Sequence, residues 1–180
     1  QYDVAIIGSD EVWNIKGSFE QWPQYLGEKI NAKRLVAYAP SVGFSRPEEL
    51  LASERFTRGV KRFDAICPRD NVTREVCKTL SSNVTERVID PTLLMLDDWE
   101  SLLPPVKEAG KYVVYYSYLD ESPMKSYVLR FAKERGLKVI IAGFDYRWGD
   151  KERMDSPLEF LTLLKNAEFV FTSTFHGSVL

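Results

Sequence analysis

Short apolar runs rich in β-branched and aromatic residues alternate along the chain with stretches of helical periodicity. The runs are Val4–Ile7, Leu35–Tyr38, Ala65–Cys67, Arg87–Ile89, Tyr112–Tyr118, Lys138–Ala142 and Phe169–Thr172. Most are apolar throughout rather than alternating, a pattern that predicts parallel strands covered on both faces. Helix starts are marked between them. Ser45-Arg46-Pro47-Glu48 and Ser156-Pro157-Leu158-Glu159 each read as a capping box, with Ser at the N-cap and Pro in the first turn. Ser122-Pro123 opens another helix, expected to run to about Glu134 and to close at Gly136. In the helix after Ser156, Leu158, Leu161, Leu164 and Phe160 are expected to face a sheet. Strand–helix alternation of this kind predicts a doubly wound α/β architecture with mainly parallel sheets.

The pattern breaks at Asp90-Pro91-Thr92, and Leu103-Pro104-Pro105 with Ala109-Gly110 reads as a linker. The predicted organisation is therefore a Rossmann-like part over 1–95, a linker over 96–110, and the start of a second Rossmann-like part over 111–180. The chain opens almost inside a strand and stops where a helix begins, so it reads as a fragment of a longer protein. In such folds ligands bind at the carboxyl ends of strands, which directs attention to the loops that follow them.

Composition narrows the choice of ligand. The 180 residues carry 24 basic and 26 acidic side chains, a net charge of −2, so no global field draws nucleic acid or an anionic membrane. An anionic ligand must be met locally, by particular arginines and backbone amides. The two cysteines, Cys67 and Cys77, are too few for a CxxC-type metal cluster and read as reduced thiols. No His/Cys/Asp/Glu cluster is visible, so no metal is expected.

Four strand-end loops carry candidate chemistry. Thr172-Ser173-Thr174-Phe175-His176-Gly177 brings hydroxyls, the only histidine and a glycine to a strand-to-helix turn, suited to an anion and to proton transfer. The plainer reading makes Ser173 or Thr174 an N-cap and His176 a filler. Arg69, after the strand ending at Cys67, is placed to fork onto a carboxylate or phosphate, or else to pair on the surface with Asp70 or Glu75. In Gly8-Ser9-Asp10-Glu11-Val12-Trp13-Asn14, the groups of Ser9, Asp10 and Asn14 suit sugar hydroxyls or turn formation. Trp13 either stacks on a sugar or anchors the core. Tyr38-Ala39-Pro40-Ser41-Val42-Gly43 is a further polar, glycine-containing loop.

The ordered segments GSDEVWN (8–14), YAPSVG (38–43), PRD (68–70), DPTLL (90–94) and SPLEFLTLLKNAEFVFTSTFHG (156–177) resemble the polysaccharide pyruvyl transferase family across essentially the whole chain. The resemblance implies two Rossmann-like halves of GT-B type. It implies phosphoenolpyruvate as donor and co-substrate, with no cofactor, and a sugar of a cell-surface or exopolysaccharide as acceptor. The product would be a ketal bridging two hydroxyls. His176 matches the family's Phe-His-Gly histidine and Arg69 its strand-end arginine, both expected at the donor with Ser173, Thr174 and Gly177. Asp10 is the candidate for orienting or deprotonating the acceptor, with Ser9, Trp13 and Asn14 as acceptor contacts. Two positions depart from the family pattern: Glu11 replaces the common Gln, and Thr174 replaces the usual Ser. The resemblance also places a glycine-rich strand before Gln1 and a basic donor residue after Leu180. Expected partners are phosphoenolpyruvate and a glycan or lipid-linked oligosaccharide, and no nucleic acid. The expected location is the cytoplasm, with peripheral association at the inner face of the cell membrane as its variant. A GT-B glycosyltransferase using a nucleotide sugar and a non-catalytic glycan-binding module are the alternatives.

Overall fold

The computed structural model describes residues 1–17, 22–94, 99, 101–105, 110–118, 123–151 and 156–180. The chain divides into two units, Gln1–Leu94 and Met95–Leu180, each α/β and each built on a parallel sheet.

In the first unit, strands β1 (Tyr2–Asp10), β2 (Ala32–Pro40) and β3 (Ala65–Cys67) pair in that order, all parallel. Helices α1 (Pro47–Ala52) and α2 (Glu54–Val60) lie in the crossover from β2 to β3, and α3 (Asn71–Lys78) follows β3. Parallel strands need such connections, and each strand's pleat sends alternate residues to opposite faces. Ala5 and Ile7 lie beside Leu35 and Ala37, and this face gathers a single core with Ile66, Leu50, Phe56, Val60, Val76 and Cys77. The opposite face is different. Tyr2, Val4 and Ile6 stand 73%, 47% and 68% exposed. The apolar run of β1 is thus covered on one face among the described residues, not on both as its composition predicts.

The sheet also stops earlier than the sequence suggests. Arg87–Ile89 is not a strand: after β3 the pairing shrinks to one bridge between Ile66 and Val84. Pro68 accepts the Val88 N–H at 2.9 Å but has no N–H to return, so no ladder propagates there. Helix α1 is capped differently too. Its N-cap is Arg46, whose backbone N–H meets the Glu49 carboxylate at 3.4 Å. Ser45 instead accepts the Ile15 N–H at 2.8 Å and ties the loop after β1 to the loop after β2.

In the second unit the order is β6 (Asp150–Lys151), β5 (Lys138–Ile141), β4 (Tyr112–Tyr116), β7 (Phe169–Thr172), again all parallel. Helices α4 (Pro123–Arg135), α5 (Pro157–Lys165) and the short α6 (Phe175–Val179) accompany them. β4 is covered on both faces. Tyr112 and Val114 pack with Ile140, Leu163 and Leu164, while Val113 and Tyr115 pack with Val128, Ala132 and Ile141. Gly136, at φ 62°, closes α4 in the left-handed conformation. Ser156 caps α5 by accepting the Glu159 N–H. The residues that α5 buries are Thr162, Leu163 and Leu164, with Phe160 beside them, rather than the Leu158 and Leu161 that periodicity selects. The N-cap expected at Ser122, and 96–98, 100 and 106–109 of the expected linker, lie outside the described residues.

Trp13 is the centre of the first core. It is fully buried, its rings meet Phe56 and Phe63 edge-on at 6.0 and 5.5 Å, and its indole N–H donates to the Tyr25 carbonyl at 2.8 Å. Trp13→Ala is expected to destabilise the folded protein by about 3–5 kcal/mol, read from urea denaturation. Cys77 lies in the same core, where burial, with a smaller contribution from the Asp70 charge, pushes its thiol up to about 12. At pH 8 Cys77 should therefore react with a disulfide reagent only after unfolding, and native reaction at the rate of a free thiol would contradict this packing.

Candidate functional site

Parallel pairing puts the carboxyl ends of β1, β2 and β3 side by side, and the loops leaving them interlock. Asp70 caps α3, accepting the Thr73 N–H at 2.8 Å, and the Thr73 hydroxyl in turn accepts the Val42 N–H at 2.9 Å. Asp70 is therefore committed to the helix start and is not Arg69's partner. Arg69 instead turns across the strand ends. Its Nη1 lies 2.7 Å from Asp90 Oδ2 and its Nη2 lies 3.1 Å from Asp10 Oδ1. The Arg69 and Asp90 side chains are 8% and 1% exposed, whereas the Asp10 side chain is 60% exposed. Arg69 is thus buried on one carboxylate and reaches the surface at the other.

Asp90 is the most heavily bonded group of the cluster. Besides Arg69, its Oδ2 accepts the Ser9 hydroxyl at 2.9 Å, and its Oδ1 accepts the Thr92 N–H at 3.1 Å and the Thr92 hydroxyl at 2.9 Å. Burial on its own would raise the Asp90 pKa. The donors from Thr92, Arg69 and Ser9 outweigh burial and hold the carboxyl at about 2, below its ordinary 3.8. Asp10 sits where β1 ends, with φ at 72°, a left-handed conformation that Asp tolerates better than most residues. Ser9 and Asp10 are thus brought together with Arg69.

Asn14 and Trp13 are not. Asn14 spends its amide within the loop, donating to Glu11 Oε2 at 2.9 Å and accepting from the Lys16 N–H at 3.0 Å and the Ser45 hydroxyl at 3.3 Å. Trp13 points into the core with no exposed face for a sugar. The sugar-stacking role of Trp13 is corrected: its indole fills the space beneath the helices. The Glu11 carboxylate packs over Gly43, whose φ of 57° and lack of a side chain admit it.

The second unit carries the remaining candidates. The hydroxyls of Ser117, after β4, and Ser173, after β7, share a hydrogen bond of 2.7 Å. Thr174 is buried and caps α6, accepting the Gly177 N–H at 2.9 Å. The amide of Gly177 is therefore used inside the turn. Gly177 serves by what it lacks: a Cβ there would collide with Thr172 Oγ1 and come within 2.8 Å of both Thr174 Oγ1 and the Tyr116 ring. The close turn at the end of β7 needs glycine. His176 is half-buried beside it, edge-on to the Phe175 ring at 5.2 Å.

A family model described as polysaccharide pyruvyl transferase matches residues 1–180. The chain belongs to the polysaccharide pyruvyl transferase family. No curated protein and no solved structure matches it. The match covers both units. Among the described residues, no group of three or more His, Cys, Asp or Glu is gathered as metal ligands, and no helix is long and apolar enough to cross a membrane.

The sequence shows Asp90 only as part of a pattern break and of the DPTLL segment, not as a site residue, and Ser117 and Tyr116 only as the end of an apolar run. Asp90 had a legible signal: Asp-Pro-Thr is a short capping pattern in which Asp accepts from the residue two ahead. Ser117 and Tyr116 gave none beyond their place at a strand end. The Asp90 carboxyl makes an acid-sensitive contribution. Its folded pKa lies below the unfolded value, so about 2 kcal/mol of stability is present above pH 4 and is lost as pH falls towards 2. Urea denaturation of the wild type and Asp90→Asn between pH 7 and 2 should show a stability gap that closes towards pH 2. A gap independent of pH would refute the depressed carboxyl.

Proposed function

We propose that this protein transfers a pyruvyl group from phosphoenolpyruvate to hydroxyls of a polysaccharide sugar, and that its two parallel-sheet units are the halves of a GT-B-like enzyme. The whole-chain family match is the observation that carries the reading. Phosphoenolpyruvate presents a carboxylate and a phosphate, which call for fixed positive charge and directed donors. In the first unit, Arg69 supplies a guanidinium whose outer edge rests on the exposed Asp10, a partner that an incoming anion can replace. In the second, Ser173, Thr174 and His176 cluster at one strand end.

The chemistry adds a proton to the methylene carbon of the donor, and positive charge develops at the carbon bearing phosphate. A sugar hydroxyl attacks that carbon and loses its proton. Phosphate then leaves with the C–O bond pair, and a second hydroxyl closes the ketal, its proton balancing the departing phosphate. The two hydroxyl protons thus replace the one delivered to carbon and the one taken up on phosphate release. His176 is assigned to proton delivery or to charge balance at phosphate, and Asp10 to orienting or deprotonating the acceptor. The donor is a co-substrate and no cofactor is required by this chemistry. A cytosolic donor metabolite favours the cytoplasm, with the acceptor a glycan or lipid-linked oligosaccharide at the inner membrane face.

Calorimetry on the full-length protein tests the donor assignment. Phosphoenolpyruvate should bind to the wild type, and Arg69→Lys should weaken binding by about tenfold because a lysine cannot span two carboxylates and still orient an anion. His176→Ala should lower turnover by about 100- to 10,000-fold while leaving the fold intact. Binding of a nucleotide sugar in place of phosphoenolpyruvate would transfer the assignment to a glycosyltransferase.

A further inference from the structure

Arg69 is an unequal bridge. One edge of its guanidinium is fixed at 2.7 Å on a carboxylate that is 1% exposed, and the other reaches 3.1 Å to one that is 60% exposed. The buried end is the better built. Asp90 accepts from Arg69, from the Ser9 hydroxyl and from both the backbone and the hydroxyl of Thr92, and so joins the end of β1, the end of β3 and the Asp-Pro-Thr turn. A buried ion pair of this kind adds little net stability over an apolar replacement, because desolvating two charges offsets their attraction. What it does supply is direction. A planar guanidinium held at one edge can present its other edge in only one orientation. Here that edge faces the end of β1, where Asp10 leaves the strand in a left-handed turn.

We propose that Asp90 is a positioning residue for the anionic co-substrate, orienting the Arg69 guanidinium so that its outer edge can receive a carboxylate or phosphate. Asp90 itself touches no substrate. It acts through Arg69, and secondarily through Ser9, whose hydroxyl proton it holds. The inference rests on the pyruvyl-transfer reading of the site. Thr92, two residues beyond the buried carboxylate, contributes by keeping Asp90 turned towards Arg69.

The test uses the full-length protein, with phosphoenolpyruvate as the probe and circular dichroism to establish that each variant is folded at the assay temperature. In Asp90→Asn the charge is lost with the shape kept, and the Kd for phosphoenolpyruvate should rise by about tenfold or more, as expected when the group supporting a ligand-binding side chain is removed. Thr92→Val leaves the ion pair and removes one hydroxyl, and should raise the Kd by about threefold. A purely structural Asp90 would lower the melting temperature of these variants and leave the Kd of the folded protein unchanged. An unchanged Kd in folded Asp90→Asn overturns the proposal. If Asp90→Asn does not fold, Thr92→Val decides in the same way. Absence of phosphoenolpyruvate binding by the wild type would instead defeat the pyruvyl-transfer reading, and the role of Asp90 with it.

Discussion

Parallel pairing is the constraint on which everything else here depends. Every strand in both sheets runs in the same sense as its neighbours, so each unit collects its strand-following loops at one end. Residues 59 positions apart, Asp10 and Arg69, meet because β1 and β3 end at the same edge of one sheet. The 2.7 Å hydrogen bond between Ser117 and Ser173 arises in the same way at the ends of β4 and β7. Antiparallel strands would have scattered these residues to opposite ends, and no local feature of the loops could have reunited them.

The first unit meets this arrangement with charge. Taking Arg69 and Asp90 out of water is costly, and the cost is offset by mutual attraction and by the added donors of Ser9 and Thr92. The result is a guanidinium held on its inner side by the buried Asp90 and on its outer side by the exposed Asp10. The second unit uses hydroxyls and close packing instead. Thr174 satisfies the start of α6, and the absent side chain of Gly177 lets that start approach the Tyr116 ring. The two strand ends therefore offer different chemistries, a fixed cation in one and a histidine among hydroxyls in the other.

The contrast between β1 and β4 shows how far an apolar run informs. Both read as continuous hydrophobic strands. β4 lies inside its sheet with β5 and β7 on either side, and both of its faces are packed. β1 lies at the edge of its sheet, and the helices of its unit all bury their apolar residues on the face that carries Ala5 and Ile7. The same composition therefore gives a doubly covered strand in one place and an exposed row of Tyr2, Val4 and Ile6 in the other.

Local chemistry in the sequence determined what could be decided within a few residues. It set the strand cores from Val4 to Thr172 other than Arg87–Ile89, the cap at Ser156, the left-handed stop at Gly136 and the hydroxyl–Phe–His–Gly turn, because each depends on propensity, periodicity or a side chain bonding its own backbone. The ordered motifs also determined family membership, which the whole-chain match bears out. Only the tertiary structure decided which partners those residues take. Arg69 beside Asp70 could equally have paired with it, but Asp70 is drawn to the α3 start, and the distant Asp90 is delivered instead by the chain's return past β3. Trp13 could have faced a sugar, yet the space between Phe56 and Phe63 took it. Such choices belong to packing and long-range pairing, where the energy of a contact depends on what else the fold brings to the same place.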